Sequence, residues 1–245
     1  MTEPVPWGPR EAILAVVLYV AAQLLIGTFL LATACGALSL MDPGVLRDRA
    51  DLMLAGFQVS LAPTLLASSA VIIGYIAWSI SRIHHRPVLV SLGLARPEAR
   101  AAAGWSAAGI VMALLLAGVM HLAPPGEDDT GGMLTQLAES GTSGWLLWLT
   151  LALLVAPIVE ELLFRGYVYP GVRGALGPGR AALAVSGLFT LMHTGETGLY
   201  LPALGGLLCL ALLLAFIREA TGNLVCCILC HLSYNGTLAL LSAAG

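Results

Sequence analysis

The stretch WLLWLTLALLVAPIVEELLFRGYV, residues 145–168, decides how the chain reads. It is long enough to cross a ~30 Å hydrocarbon core as a helix rising ~1.5 Å per residue. Yet it holds Glu160, Glu161 and Arg165 inside an otherwise apolar run. An ionised side chain at the bilayer centre costs at least ~2.5–3.5 kcal/mol, so intramembrane charges mark function more often than structure.

Working outward, apolar runs recur at about 12–34, 55–80, 102–123, 181–194, 199–217 and 223–243. The 181–194 run is short for a full crossing, and reads as tilted, re-entrant or buried among neighbours. The chain of 245 residues is 58% hydrophobic and 10% charged, with a mean hydropathy of +0.90. Soluble domains carry about a quarter charged residues. The sequence therefore predicts an all-α, multi-pass transmembrane bundle of about seven to eight helices around a polar intramembrane cavity. Residues 1–245 read as a single membrane domain, without repeats or linkers. The first apolar run is too long for a signal-peptide core and has no basic residues before Arg10, so it is expected to stay as a membrane helix.

Net charge is −3, and all eleven basic residues are arginines scattered between apolar runs. This gives no nucleic-acid patch; the expected partners are the lipid bilayer and a membrane-associated peptide or protein substrate. The 81–100 loop holds Arg82, Arg86, Arg96 and Arg100, and Arg173, Arg180 and Arg218 follow later runs. The 124–143 loop instead holds Glu127, Asp128, Asp129 and Glu139, which read as an outer solvated face. By the positive-inside rule the N-terminus lies in the cytoplasm, in a plasma (inner) membrane of bacterial type. Arg47 and Arg49 oppose this trend and are diluted by nearby aspartates. Trp7, Trp78, Trp105 and Trp145 sit near span ends, as interfacial anchors would. His84, His85 and His121 fall in loops or at a span end and read as solvated or interfacial.

Within EELLFR, Glu161 and Arg165 are four apart and share a helix face, in the favourable acid-before-base order. Glu160 points about 100° away from Glu161 and needs partners elsewhere. Two further polar faces occur in apolar runs. GLFTLMHT puts Phe189 and His193 four apart, and HLSYNG does the same for His231 and Asn235. Each alone is satisfied by helix packing; such interhelical hydrogen bonds are worth ~0.6 kcal/mol on average. Together, a carboxylate, two histidines and an amide supply the parts for hydrolysis. A buried carboxylate can take a proton from water, a neutral histidine can orient that water, and the other donors can stabilise an oxyanion.

At these residues the chain resembles the CAAX protease and bacteriocin-processing family of intramembrane glutamic endopeptidases. The family pattern of EExxxR, FxxxH and HxxxN on three successive helices reads here as Glu160-Glu161…Arg165, Phe189…His193 and His231…Asn235. The approach to the last motif, LLAFIREATGNLVCCILCH, is also similar. The resemblance covers residues 145–240. It implies an endopeptidase in which Glu160 and His193 activate water, His231 and Asn235 form the oxyanion site, and Glu161, Arg165 and Phe189 support the cavity. It implies no metal or other cofactor. Some members of the family cut prenylated proteins, and a prenylated substrate is not assumed for this chain.

Three rival readings use the same sequence. Two histidines and a carboxylate could hold zinc, although HExxH is missing. GTSG, residues 141–144, matches the surroundings of a serine nucleophile, but Ser143 falls at the opposite membrane edge. A non-catalytic scaffold or immunity-type binding protein would keep the polar cluster for packing or binding. The cysteines Cys35, Cys209, Cys226, Cys227 and Cys230 all lie in apolar segments and read as small buried hydrophobes rather than metal ligands.

Overall fold

The computed structural model describes residues 5–41, 49–124, 142–197 and 199–244, and among them every regular element is helical. The long elements are α1 (Pro9–Met41), α2 (Arg49–Trp78, running into a π-helical turn at Ser79–Ile83) and α4 (Ala99–Leu122). They are followed by α5 (a composite run over 142–176), α6 (Pro178–Met192), α8 (Leu201–Thr221) and α9 (Leu224–Ala244). Two short helices, α3 (Val88–Leu92) and α7 (Thr194–Thr197), fall outside the expected spans. Among the described residues five helices are long and apolar enough to cross a membrane: Pro9–Met41, Asp51–Ile83, Ala99–Leu122, Leu201–Thr221 and Leu224–Ser242. The protein is an all-helical integral membrane bundle. The expected spans at 145–168 and 181–194 are present as α5 and α6, but α5 is interrupted and α6 has only 15 residues. The acidic residues of the 124–143 loop and Arg47 lie outside the described residues.

The bundle is inside-out in the way lipid solvation allows. Leu24, Leu25, Phe29, Leu115, Leu183, Phe216 and Leu240 face outward, where apolar side chains meet acyl chains. The core forms around α5, whose residues 163–168 are all buried, against Ile72 and Ile80 of α2, Phe189 of α6 and Leu210 and Leu214 of α8.

Helix α5 alternates between α and π geometry: Thr142–Thr150 is α, Leu151–Val155 π, Ala156–Glu161 α, Leu162–Val168 π and Tyr169–Leu176 α. Pro157 gives a local cause for the first change, because it has no N–H to donate and its ring crowds the carbonyl one turn back. Such π segments inside α-helices concentrate at functional sites. Here they bracket the two glutamates.

Small residues set how closely the helices approach. A side chain on Gly109 of α4 would run into the Cys230 backbone carbonyl on α9, so these helices pack backbone to backbone. A Cβ on Gly166 would sit 3.1 Å from Leu92 and 3.2 Å from Leu224, placing α3 and α9 hard against α5.

Two expected surface residues are interior. Trp7 is 3% exposed; its ring stacks on Tyr167 at 4.9 Å and its Nε1–H donates to the Tyr167 carbonyl at 2.9 Å. His84 is not solvated but pairs through Nε2 with Glu11 Oε1 at 2.7 Å. Both corrections share one cause: the N-terminal segment folds back over the π turn of α5, which single-span reading could not foresee.

Candidate active site

Helix α5 sends its two glutamates to different partners. Glu161 is fully buried, and its Oε1 accepts from Arg165 Nη1 at 3.0 Å, the i to i+4 geometry of a single helix face. Arg165 is also fully buried; its Nη2 donates to the Ala211 carbonyl of α8 at 3.0 Å, and its Cζ lies 4.7 Å from the centre of the Phe189 ring. Glu160 instead lies 3.5 Å from His193 Nε2 and 3.9 Å from His231 Nε2.

His193 follows the last residue of α6 and stands at the helix C-terminus. Its Nδ1 is 2.8 Å from the Phe189 carbonyl. A carbonyl only accepts, so Nδ1 carries a proton, and Nε2 is the nitrogen turned toward Glu160. The Phe189 ring is fully buried, tilted against His193 at 4.4 Å and edge-on to Phe164 at 5.2 Å. One residue thus fixes the imidazole through its carbonyl and walls the site with its side chain, which explains a phenylalanine four residues before the histidine.

His231 is set by the turn between α8 and α9. Gly222 takes the left-handed conformation (φ 64°) that ends α8, and its carbonyl accepts from Arg218 Nη1. Asn223 Oδ1 then accepts from the Val225 backbone N–H at 2.8 Å, starting α9 as an N-cap does. Asn223 Nδ2 donates to the Ala95 carbonyl at 3.0 Å, tying the turn to the segment after α3. Two turns into α9, the buried His231 donates Nδ1–H to Glu161 Oε1 at 3.0 Å, which turns its Nε2 to Glu160. The imidazole therefore bridges the two glutamates. The helical spacing separated those carboxylates but did not reveal this link.

Glu160, His193, His231 and Asn235 all line one cavity of about 330 Å³, within the size range of small-ligand sites. Most of the remaining wall is apolar, including Leu65, Leu116, Met120 and Leu207. Glu161, Arg165 and Phe189 lie behind this wall rather than on it. Cys227 does not line the cavity; the Ser143 side chain and Gly141 lie outside the described residues. Among the described residues no group of three or more His, Cys, Asp or Glu side chains is arranged to hold a metal ion.

The cavity also has a wall unforeseen from the motifs. Tyr19 and Gln23 of α1 and Ser69 of α2 line it. Their signal in the sequence is faint: uncharged polar groups inside apolar runs, Gln23 in VAAQLLIG being the clearest.

Residues 142–237, less than half of the chain, match the family model described as Type II CAAX prenyl endopeptidase Rce1-like. No curated protein and no solved structure matches the chain. All three motifs, Glu160 to Arg165, Phe189 to His193 and His231 to Asn235, fall inside the matched segment, whereas α1, α2 and α4 precede it. Over residues 142–237 this chain is therefore similar to the Rce1-like type II CAAX prenyl endopeptidase family.

Proposed function

We propose that the protein is an intramembrane endopeptidase that hydrolyses a peptide bond with water activated by Glu160 and His193. The observation that carries this reading is the Glu160 carboxylate lying between two histidine Nε2 atoms, at 3.5 and 3.9 Å, on the wall of a largely apolar cavity. A carboxylate and an imidazole lone pair are both acceptors. A water between them donates one proton to each and leaves its own lone pair aimed at a substrate carbonyl.

As the water attacks, Glu160 takes its proton and the carbonyl becomes an oxyanion. His231, held at Nδ1 by Glu161, and the Asn235 amide are the groups placed to stabilise that oxyanion. Collapse of the tetrahedral intermediate breaks the C–N bond, and Glu160 returns the proton to the leaving amine. Donors fixed in a dry site stabilise developing charge without reorganising, which makes such terms large. Glu161 and Arg165 act behind the site by holding His231 and neutralising each other.

The substrate in this reading is a membrane-associated peptide or protein, reached from the bilayer of a cytoplasmic membrane with the N-terminus inside. No metal takes part. The deciding experiment compares membrane proteomes of cells carrying the wild type and Glu160→Gln at equal membrane levels. Uncut precursors should accumulate in the variant; identical proteomes, with the variant complementing a deletion, would establish a non-catalytic scaffold instead.

A further inference from the structure

Gln23 places a primary amide in the middle of α1, between the buried Ala22 and the outward-facing Leu24 and Leu25. A carboxamide left in an apolar medium without a partner costs about 2–7 kcal/mol. Among the described residues the Gln23 amide makes no hydrogen bond, and it lines the cavity that holds Glu160, His193, His231 and Asn235. Tyr19, one turn before it on the same helix face, lines that cavity too. An amide at this site, on a helix outside the matched segment, faces the cavity and is placed to serve a ligand there.

The chemistry of its ligand follows from what surrounds it. A carboxamide offers an acceptor and donors at one end of a planar group, which is the complement of a peptide main chain's N–H and C=O. The largely apolar wall, with Leu65, Leu116, Met120, Leu207 and Leu238, favours apolar side chains. Among the described lining residues, the ionisable groups suited to chemistry at neutral pH are Glu160 and the two histidines, all engaged at the scissile bond in the mechanism above. A substrate held in a helix would already have paired its backbone groups and gained nothing from Gln23.

We propose that Gln23 is a substrate-positioning residue. Its carboxamide hydrogen-bonds the main chain of an extended, apolar peptide segment beside the scissile bond, in the cavity that Glu160 also lines. The inference rests on the peptide-hydrolase reading and adds that the substrate is locally unwound and recognised through its backbone.

The test uses the purified full-length chain in dodecylmaltoside micelles and an equimolar set of internally quenched decapeptides with Leu, Val, Ala or Phe at the central positions. Wild type, Glu160→Gln and Gln23→Leu are compared, first on all-amide peptides and then on peptides with single backbone N–H groups replaced by ester oxygen near the cut. Gln23→Leu should raise KM about tenfold with kcat unchanged within about twofold, the size of one lost hydrogen bond. One ester position should weaken the wild type by a similar factor and leave Gln23→Leu unaffected, a coupling that a merely structural role cannot produce. If the wild type shows no Glu160-dependent cleavage, the hydrolase reading falls and the inference with it. If cleavage is Glu160-dependent but Gln23→Leu matches the wild type in KM, or keeps the ester penalty, the inference alone is overturned. A fall in kcat or in melting temperature without the KM change also overturns it.

Discussion

His231 Nδ1 lies 3.0 Å from Glu161 Oε1, the same oxygen that accepts from Arg165 Nη1. One carboxylate therefore serves two masters. It balances a fully buried guanidinium, and it aims an imidazole whose other nitrogen faces Glu160.

This sharing predicts that stability and activity separate. Glu161→Leu leaves the Arg165 charge buried and unpaired, and should cost about 3–5 kcal/mol, read as a lower melting temperature in detergent. Adding Arg165→Met removes the orphan charge, and stability should recover most of that loss. Peptide cleavage should stay low in both, because His231 has lost the acceptor that orients it. Recovered cleavage in the double variant would show that Glu161 acts only through Arg165.

Glu160→Gln keeps the shape of the side chain and removes its base. Because among the described residues no arginine lies within ion-pair distance of Glu160, the melting temperature should stay within a few degrees. Cleavage should fall by about 10²–10⁴-fold, the usual contribution of a general base. Equal turnover by the variant would rule out Glu160 as the proton acceptor.

Phe189 can be tested through its ring alone. Phe189→Leu stays apolar but loses the face that lies 4.7 Å from the Arg165 guanidinium carbon and the contact with His193 at 4.4 Å. The cation–π part alone should cost about 1–2 kcal/mol of stability at this buried site. The backbone carbonyl that holds His193 Nδ1 survives, so residual cleavage should exceed that of His193→Ala.

The backbone contact between α4 and α9 has a built-in control. Gly109→Ala pushes a methyl group against the Cys230 carbonyl and should destabilise the bundle by about 1–3 kcal/mol. Gly118→Ala, on the same helix with nothing within 4 Å of the new Cβ, should be neutral or stabilising by about 0.5–1 kcal/mol. Thermal melting of the two variants side by side measures the difference, which vanishes if α4 and α9 are not in contact.

Chelation separates the two water-activating chemistries. Incubation with EDTA followed by removal of the chelator should leave peptide cleavage unchanged. Activity lost on chelation and restored by zinc would replace the glutamate mechanism with a metal-bound water.

The sequence by itself determined the helical membrane architecture, because hydrocarbon imposes helices on any apolar run of about 20 residues. It also determined that Glu161 and Arg165 share a face while Glu160 points elsewhere, since helix geometry is local and periodic. Tertiary structure decided the rest. That His231 touches both glutamates depends on how α9 docks on α5, through the Gly222–Asn223 turn and the packing at Gly166, and none of this is periodic in sequence. Trp7 is buried and His84 half-buried because the N-terminal segment docks on Tyr167 and brings Glu11 to His84. Gln23 was silent for the same reason: one amide in an apolar helix acquires meaning only when a cavity lined by α2, α4, α5, α8 and α9 opens onto it.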